Sequence, residues 1–302
     1  MQNIAPIALF VYNRPEHTRR TLKFLQQNTL ADESRLFIFS DGPATSRDEE
    51  KVLEVREVIK DIEGFKSVSV IERPQNKGLA NSIIEGVSQL VQEYGKVIVF
   101  EDDLISSQFT LQYFNDALCR YEQEEKVMHI GAYMYPLSGA ADLPDTFFFR
   151  AATSWGWATW QRAWKNFEPD IDKLLSQFDA QKIRGFSIEG SMNFWKQMQE
   201  FKAGKNNSWA IRWYASIFLK GGLTLNPSLS LINNIGHDGS GVHSGLNDIY
   251  KVMINHQPIN CFPDLIEENK AAYQAIKQFL KNRKGSLWQR LIRYGRQRLS
   301  KK

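Results

Sequence analysis

The sequence predicts an α/β fold built on a mostly parallel sheet with helices on both faces. Short apolar runs alternate with helical periodicity up to residue 103, in the order β-α-β-α-β-α-β. Among these runs Ile7–Tyr12 is apolar throughout, as in a strand covered on both sides. Three of them break abruptly into polar residues, at Asn13-Arg14, Asp41-Gly42 and Glu101-Asp102-Asp103.

The first strand is Ile7–Tyr12 (IALFVY), stopped by Asn13-Arg14-Pro15. Pro15 suits the first turn of a helix, and Leu22 and Leu25 give that helix an apolar face. Leu36–Ser40 is the second strand, closed by Asp41-Gly42-Pro43. Ser46 with Glu49 reads as a capping box, ahead of Val52, Val55, Ile59 and Ile62 at helical spacing. Val68–Glu72 is the third strand. Leu79, Ile83, Val87, Leu90 and Tyr94 mark the third helix, which Gly95 can end. Val97–Phe100 is the fourth strand and runs straight into the acidic triplet. Trp160 and Trp164 stand four apart, as on a helix face, and Trp209 and Trp213 repeat the spacing; both pairs read as core. Trp155 and Trp157 flank a glycine and are candidates for a cleft wall, where flat apolar faces meet sugar C–H groups.

At 302 residues with 42% hydrophobic and 24% charged residues, the chain can bury an ordinary core, which excludes global disorder. The two cysteines, Cys119 and Cys261, have no ligand spacing, which argues against a zinc or disulfide framework. Ile4–Tyr12 is too short and too soon interrupted for a signal peptide, and no apolar run approaches the ~18 residues of a membrane span. A cytoplasmic protein is expected. The net charge of +4 conceals an asymmetry: residues 281–302 carry nine basic side chains and no acidic one, so the remainder is net acidic. This excludes nucleic acid along the body and gives the tail one anionic partner. With Leu287, Trp288, Leu291 and Ile292 among the arginines, the tail reads as an amphipathic helix on an anionic membrane surface.

Three adjacent carboxylates after a buried strand repel one another unless a cation neutralises them. A hard divalent ion, Mn2+ or Mg2+, takes one or two carboxylates and fills its other positions with water and substrate phosphate. Arg14 offers a planar fork for a phosphate. Asp41 is an acceptor-only group suited to a base N–H or ribose hydroxyl, or a plain turn-former before Gly42-Pro43. Asn76-Lys77-Gly78 opens the third helix, placing Lys77 and Gly78 for an anion or nucleoside, unless Lys77 is a solvated loop residue.

The ordered set of segments resembles the nucleotide-sugar glycosyltransferases of the GT-A fold, particularly the N-acetylglucosaminyltransferase I-like group and bacterial surface-polysaccharide enzymes. The resemblance spans about residues 5 to 245. Its carriers are Ile7–Arg14, Ser40-Asp41-Gly42, Glu101-Asp102-Asp103-Leu104 with Phe109 and Tyr113-Phe114, and the Trp155–Trp164 segment. It implies a GT-A sheet with an acceptor-side subdomain, to which the residue pattern after 265 adds a helical basic tail. Residues 1–104 would form the nucleotide-sugar half, 105–265 the acceptor side with metal and lid elements, and 266–302 the tail. It implies donor contacts from Arg14, Asp41, Glu101, Asp102 and Trp157, with Asp103 on the metal; Val11, Tyr12, Asn13, Lys77 and Gly78 join them as candidates for donor binding. The donor implied is a nucleoside-diphosphate sugar, a UDP-sugar first, and the acceptor a saccharide or a lipid-linked one at the inner face of the cytoplasmic membrane.

The chain departs from the family where a catalytic carboxylate is expected. The matching segment, Trp209-Ala210-Ile211-Arg212-Trp213, has none. Glu189 and Asp238 are the candidate general bases, each of them also readable as structural, and Arg212 is a candidate for donor phosphate or an acidic acceptor. Gly236–Gly245 is Gly-rich and reads as a lid or a plain surface loop, in which His237 or His243 could complete a metal shell. A sugar-phosphate nucleotidyltransferase is the alternative enzyme, but it needs a Gly-rich loop where this chain has Asn13-Arg14-Pro15-Glu16. A carbohydrate-binding protein on a transferase scaffold is the non-enzymatic alternative. Donor sugar, linkage, anomeric outcome and oligomeric state are not legible.

Overall fold

The computed structural model describes residues 3–236 and 248–283. Strands β1 (Ile7–Val11), β2 (Arg35–Ser40), β3 (Ser67–Glu72) and β4 (Lys96–Glu101) alternate with helices α1 (Pro15–Gln26), α2 (Glu49–Ile59) and α3 (Leu79–Tyr94). Next come β5 (Leu104–Ser106), α4 (Thr110–Arg120), β6 (Val127–Gly131), β7 (Thr146–Phe149), β8 (Trp157–Trp160) and α5 (Gln161–Trp164). A helical stretch follows with α6 (Ile171–Leu175), α7 (Ala180–Phe186), α8 (Phe194–Lys202) and α9 (Trp209–Leu219), then β9 (Leu223–Pro227), β10 (Ile232–Asn234) and α10 (Lys270–Asn282).

One eight-stranded sheet runs β3-β2-β1-β4-β8-β6-β9-β7, and β5 and β10 form a small second sheet. β3, β2, β1 and β4 are parallel, as are β6 and β9. β8 runs against both its neighbours and β7 against β9, so the sheet is mostly parallel, as the alternation predicts. The chain steps from β1 out to β3 and then returns to β4 on the other side of β1. Right-handed crossovers therefore put α1 and α2 on one face and α3 on the other. On the α3 side Gly86 lies against the stacked rings of Phe10 and Phe39; a Cβ there would come within 2.9 Å of Phe10.

Two features differ from the sequence reading. The capping box is formed by Thr45 and Asp48 around a short 3-10 turn, Ser46–Asp48, one residue ahead of the expected pair. Trp160 ends strand β8 and is not on a helix, because a short apolar run looks alike in a strand and in a buried helix.

Strand β7 shows period-two burial directly. Phe148 joins the main core, while Phe147 and Phe149 face a second core shared with α7, α9 and α10. α10 buries Ala272, Tyr273, Ile276 and Leu280 on one side, and Asn269 caps it by accepting from the Ala272 N–H at 2.9 Å.

His129 is fully buried on β6, stacked on Trp157 at 5.2 Å. The Trp213 indole N–H can only donate, so Nδ1 of His129 accepts at 3.1 Å and Nε2 donates to the Thr153 carbonyl at 3.0 Å. Burial pushes the imidazole pKa down to about 3. The unfolded chain therefore binds a proton that the folded chain refuses as pH falls below the ordinary value, and stability drops there. From pH 7 to pH 5 this one group should remove about 2 kcal/mol. Urea unfolding at both pH values should show His129→Gln lacking that part of the loss; a difference between the two proteins below ~0.5 kcal/mol contradicts it.

Candidate active site

In open α/β sheets the ligand crevice lies beyond the strand carboxyl ends, where strand order reverses. Here that point is between β1 and β4, which pair in register Phe10↔Glu101. β1 delivers Tyr12, Asn13 and Arg14, and Pro15 starts α1 at once. The Arg14 carbonyl accepts from the Thr18 N–H at 3.0 Å and the Thr18 hydroxyl at 2.9 Å, which fixes the arginine's backbone. β4 ends at Glu101, and Asp102 and Asp103 form the turn into β5. Thr21 on α1 donates to the Asp102 carbonyl at 2.8 Å and anchors the turn from the other side.

The two strand ends meet through one nitrogen. Arg14 Nη2 donates to Asp102 Oδ1 and to Asp103 Oδ2, each at 2.7 Å. Burial disfavours the guanidinium charge, yet the two carboxylates outweigh it and hold the pKa above the ordinary arginine value. Asp102 is pushed up to about 6 by burial, against the pull of Arg14. Glu101 is raised well above the carboxylate range by burial and by repulsion from Asp103 and Asp102. With Glu101 held neutral, Asp102 and Asp103 against the one guanidinium still leave an excess of negative charge at this buried turn, counted among the described residues. Among the described residues no group of three His, Cys, Asp or Glu side chains could enclose a metal. A hard divalent cation needs no such enclosure, since it binds through one or two carboxylates plus water and substrate phosphate. The donor set fits such an ion through Asp103. His237, Asp238 and His243 lie outside the described residues.

Asp103 is also held from behind by β10. Asn234 Nδ2 donates to Asp103 Oδ1 at 3.1 Å, and the Ile235 N–H donates to the Asp103 carbonyl at 2.8 Å. Gly236 is so close that a Cβ would lie 2.2 Å from Asp103 Oδ2 and 2.7 Å from Arg14 Nη1. Asn234 was not legible as a site residue, because only the β5–β10 pairing brings it there, whereas Gly236 opens the Gly-rich stretch that the sequence singles out.

The second wall is the Asp41 turn. The buried Asp41 carboxylate accepts from the N–H groups of Gly42 at 3.0 Å, Lys77 at 2.9 Å and Gly78 at 2.9 Å. It thus acts as the anion ahead of α3 and knits the β2 turn to the loop before that helix. A Cβ on Gly42 would lie 2.6 Å from the Gln75 backbone. The expected anion site at Lys77-Gly78 is therefore filled by the protein's own Asp41, and the Lys77 ammonium pairs with Glu85 at 2.8 Å. Between the two walls, Asn13 Nδ2 donates to Asp48 Oδ1 at 3.0 Å and the Tyr12 hydroxyl accepts from the Ala44 N–H at 3.0 Å. Hydrogen bonds from Thr45 and Asn13 hold the Asp48 carboxyl below its ordinary value.

Three expected residues lie elsewhere. Trp157 is fully buried between His129 and Trp209, and so is core and not cleft wall: β8 is an interior strand, covered on both faces. Its neighbour Trp155 is half-buried just before β8, edge-on to Tyr133 at 4.5 Å and Tyr250 at 6.1 Å. Since β8 runs opposite to β4, this places Trp155 at the sheet edge that carries the acidic turn. Arg212 is buried, donates to the Pro169 carbonyl at 3.1 Å and lies over the Phe201 ring at 4.4 Å, which spends it on the helical layer. Glu189 sits in the loop after α7 with a left-handed φ of 51°, ion-paired to Lys277 of α10. That pairing holds its pKa low and ties the loop to α10, away from the general-base role.

No protein-family profile and no curated protein matches the chain. Among solved structures it is similar to the mannosyltransferase PcManGT from Pyrobaculum calidifontis in complex with GDP-Man and Mn2+. That likeness has a TM-score of 0.38 and 11% identity, over 71% of this chain and 68% of that one. It is similar also to S. aureus TarS, with a TM-score of 0.29 and 17% identity over 41% of this chain and 21% of that one. At these values neither likeness decides fold or function, and the geometry of the crevice is the stronger guide.

Proposed function

We propose that the chain is a glycosyltransferase that moves a sugar from a nucleoside-diphosphate donor to a saccharide acceptor with the help of Mn2+ or Mg2+. The observation that carries this reading is Arg14 meeting Asp102 and Asp103 at the point where strand order reverses. A phosphate-binding fork and a cation-binding carboxylate stand side by side there, as a diphosphate leaving group requires. Arg14 would give the diphosphate the N–H groups it does not give to Asp102 and Asp103, and Asp103 would hold the cation. When bound, that ion neutralises charge building on the leaving diphosphate. Asn13, Tyr12 and the Asp41 turn border the nucleoside, and Trp155 stands at the same end of the sheet as the acidic turn. Asp238 remains the candidate for the base that takes the acceptor proton. The resemblance to GT-A enzymes of bacterial surface-polysaccharide assembly supports a UDP-sugar donor and a lipid-linked acceptor.

A panel of nucleotide sugars, read by nucleotide release, tests the reading. Release from one donor, dependent on Mn2+ or Mg2+, is expected. No release and no binding of any nucleoside diphosphate would refute it.

The basic tail fits the same picture by holding the enzyme at an anionic leaflet, with each engaged Lys or Arg worth about 1 kcal/mol. No helix among the described residues is long and apolar enough to cross a membrane. Truncation after Arg283 leaves α10 whole and should release protein from anionic vesicles at low salt while transfer to a soluble acceptor persists. Equal flotation of both proteins sinks the proposal.

A further inference from the structure

We infer that Asn234 is a positioning residue that sets the plane of the Asp103 carboxylate; this rests on the reading of Asp103 as cation ligand. Both ends of the Asn234 amide are committed. Nδ2 donates to Asp103 Oδ1 at 3.1 Å, and Oδ1 accepts from the Gly236 N–H at 2.8 Å. A backbone N–H can only donate, so the amide cannot flip without losing both bonds. The backbone is locked as well. Asn234 pairs with Leu104, the residue after Asp103, and the Ile235 N–H donates to the Asp103 carbonyl at 2.8 Å.

The choice of a neutral donor matters. Arg14 already holds Asp103 Oδ2, and a second cationic side chain would cancel the charge a metal ion needs. A carboxylate would add repulsion to a turn that already carries Asp102 and Asp103. The amide orients Oδ1 and leaves the charge on Asp103 in place. Asn234 holds Oδ1 from the β10 side while Arg14 holds Oδ2 from the β1 side. Partners of this kind, behind a metal ligand, typically affect metal affinity 10–100-fold.

The neighbouring Asn233 provides a control. It lies on the same strand, and its Oδ1 accepts from the Val252 N–H at 3.3 Å. Asn233→Ala loosens β10 through a bond that does not involve Asp103. The experiment titrates Mn2+ into the full-length protein with saturating UDP, reads free Mn2+ by paramagnetic resonance, and records Tm alongside. Asn234→Ala should weaken Mn2+ binding at least ~10-fold. Asn234→Ser, which keeps a donor, should recover part of that, and Asn233→Ala should stay within about twofold of wild type. Equal losses in Asn233→Ala and Asn234→Ala would make the role merely structural and overturn the inference, as would unchanged affinity in Asn234→Ala. A wild-type protein that binds UDP but no Mn2+ overturns the metal reading and this inference together. A wild-type protein that binds Mn2+ with Asn234→Ala unaffected overturns the inference alone.

Discussion

Asp103→Asn is expected to lower turnover by at least ~10³-fold, since charge neutralisation at a leaving group is worth several kcal/mol and each 1.36 kcal/mol is a decade. The fold should survive. The replacement keeps the shape of the side chain, Arg14 keeps Asp102 as a partner, and Asp103 stands in a turn and not in the core. Far-ultraviolet circular dichroism should match wild type, while Mn2+-dependent nucleotide release disappears. A variant that turns over within tenfold of wild type would remove Asp103 from the mechanism.

Arg14→Met should have the largest effect on stability. Asp102 and Asp103 have 7% and 12% of their side chains exposed beside Arg14, and the substitution removes the guanidinium that pairs them. Breaking a buried pair by removing one partner costs about 3–5 kcal/mol; the arginine is 19% exposed, which places the loss near ~3 kcal/mol. Adding Asp102→Asn to Arg14→Met should restore much of it, because the cost is unpaired charge and not lost packing. Arg14→Lys keeps the charge without the planar fork, so it should fold well yet bind a nucleoside diphosphate at least ~10-fold more weakly. Urea unfolding and UDP titration measure the two effects separately. A loss below ~1 kcal/mol in Arg14→Met would mean that water already solvates the turn.

The first half of the fold was legible because its signals are local. Ile7–Val11, Leu36–Ser40 and the α3 stripe announce themselves by apolar continuity or helical spacing, and the acidic triplet follows a strand directly. The pairing of Arg14 with the triplet was legible only as two strand ends sharing one sheet edge. What stayed hidden depends on distant partners. Asn234 reaches Asp103 through antiparallel pairing across the chain, and Glu189 finds Lys277 on a helix near the C-terminus. Trp157 looked like a cleft residue because a Trp beside a glycine is equally at home in a groove or a core. The reversed, interior position of β8 decides that question, and no residue pattern encodes it.

That same position bears on how the chain is assembled as it leaves the ribosome. β3, β2, β1 and β4 can pair as soon as residue 101 has emerged, each joined to the next through a nearby helix. The outer edge of β4 then waits for Trp157–Trp160, which takes the register Lys96↔Trp160 to Val99↔Trp157. During that interval Val97, Ile98 and Val99 present unpaired backbone on an apolar strand, the kind of edge that recruits another nascent chain. The crevice shares the delay, because Trp155 emerges only with β8 and the β10 segment behind Asp103 later still. The proposed donor crevice is therefore complete only after the sheet has closed over this apolar edge.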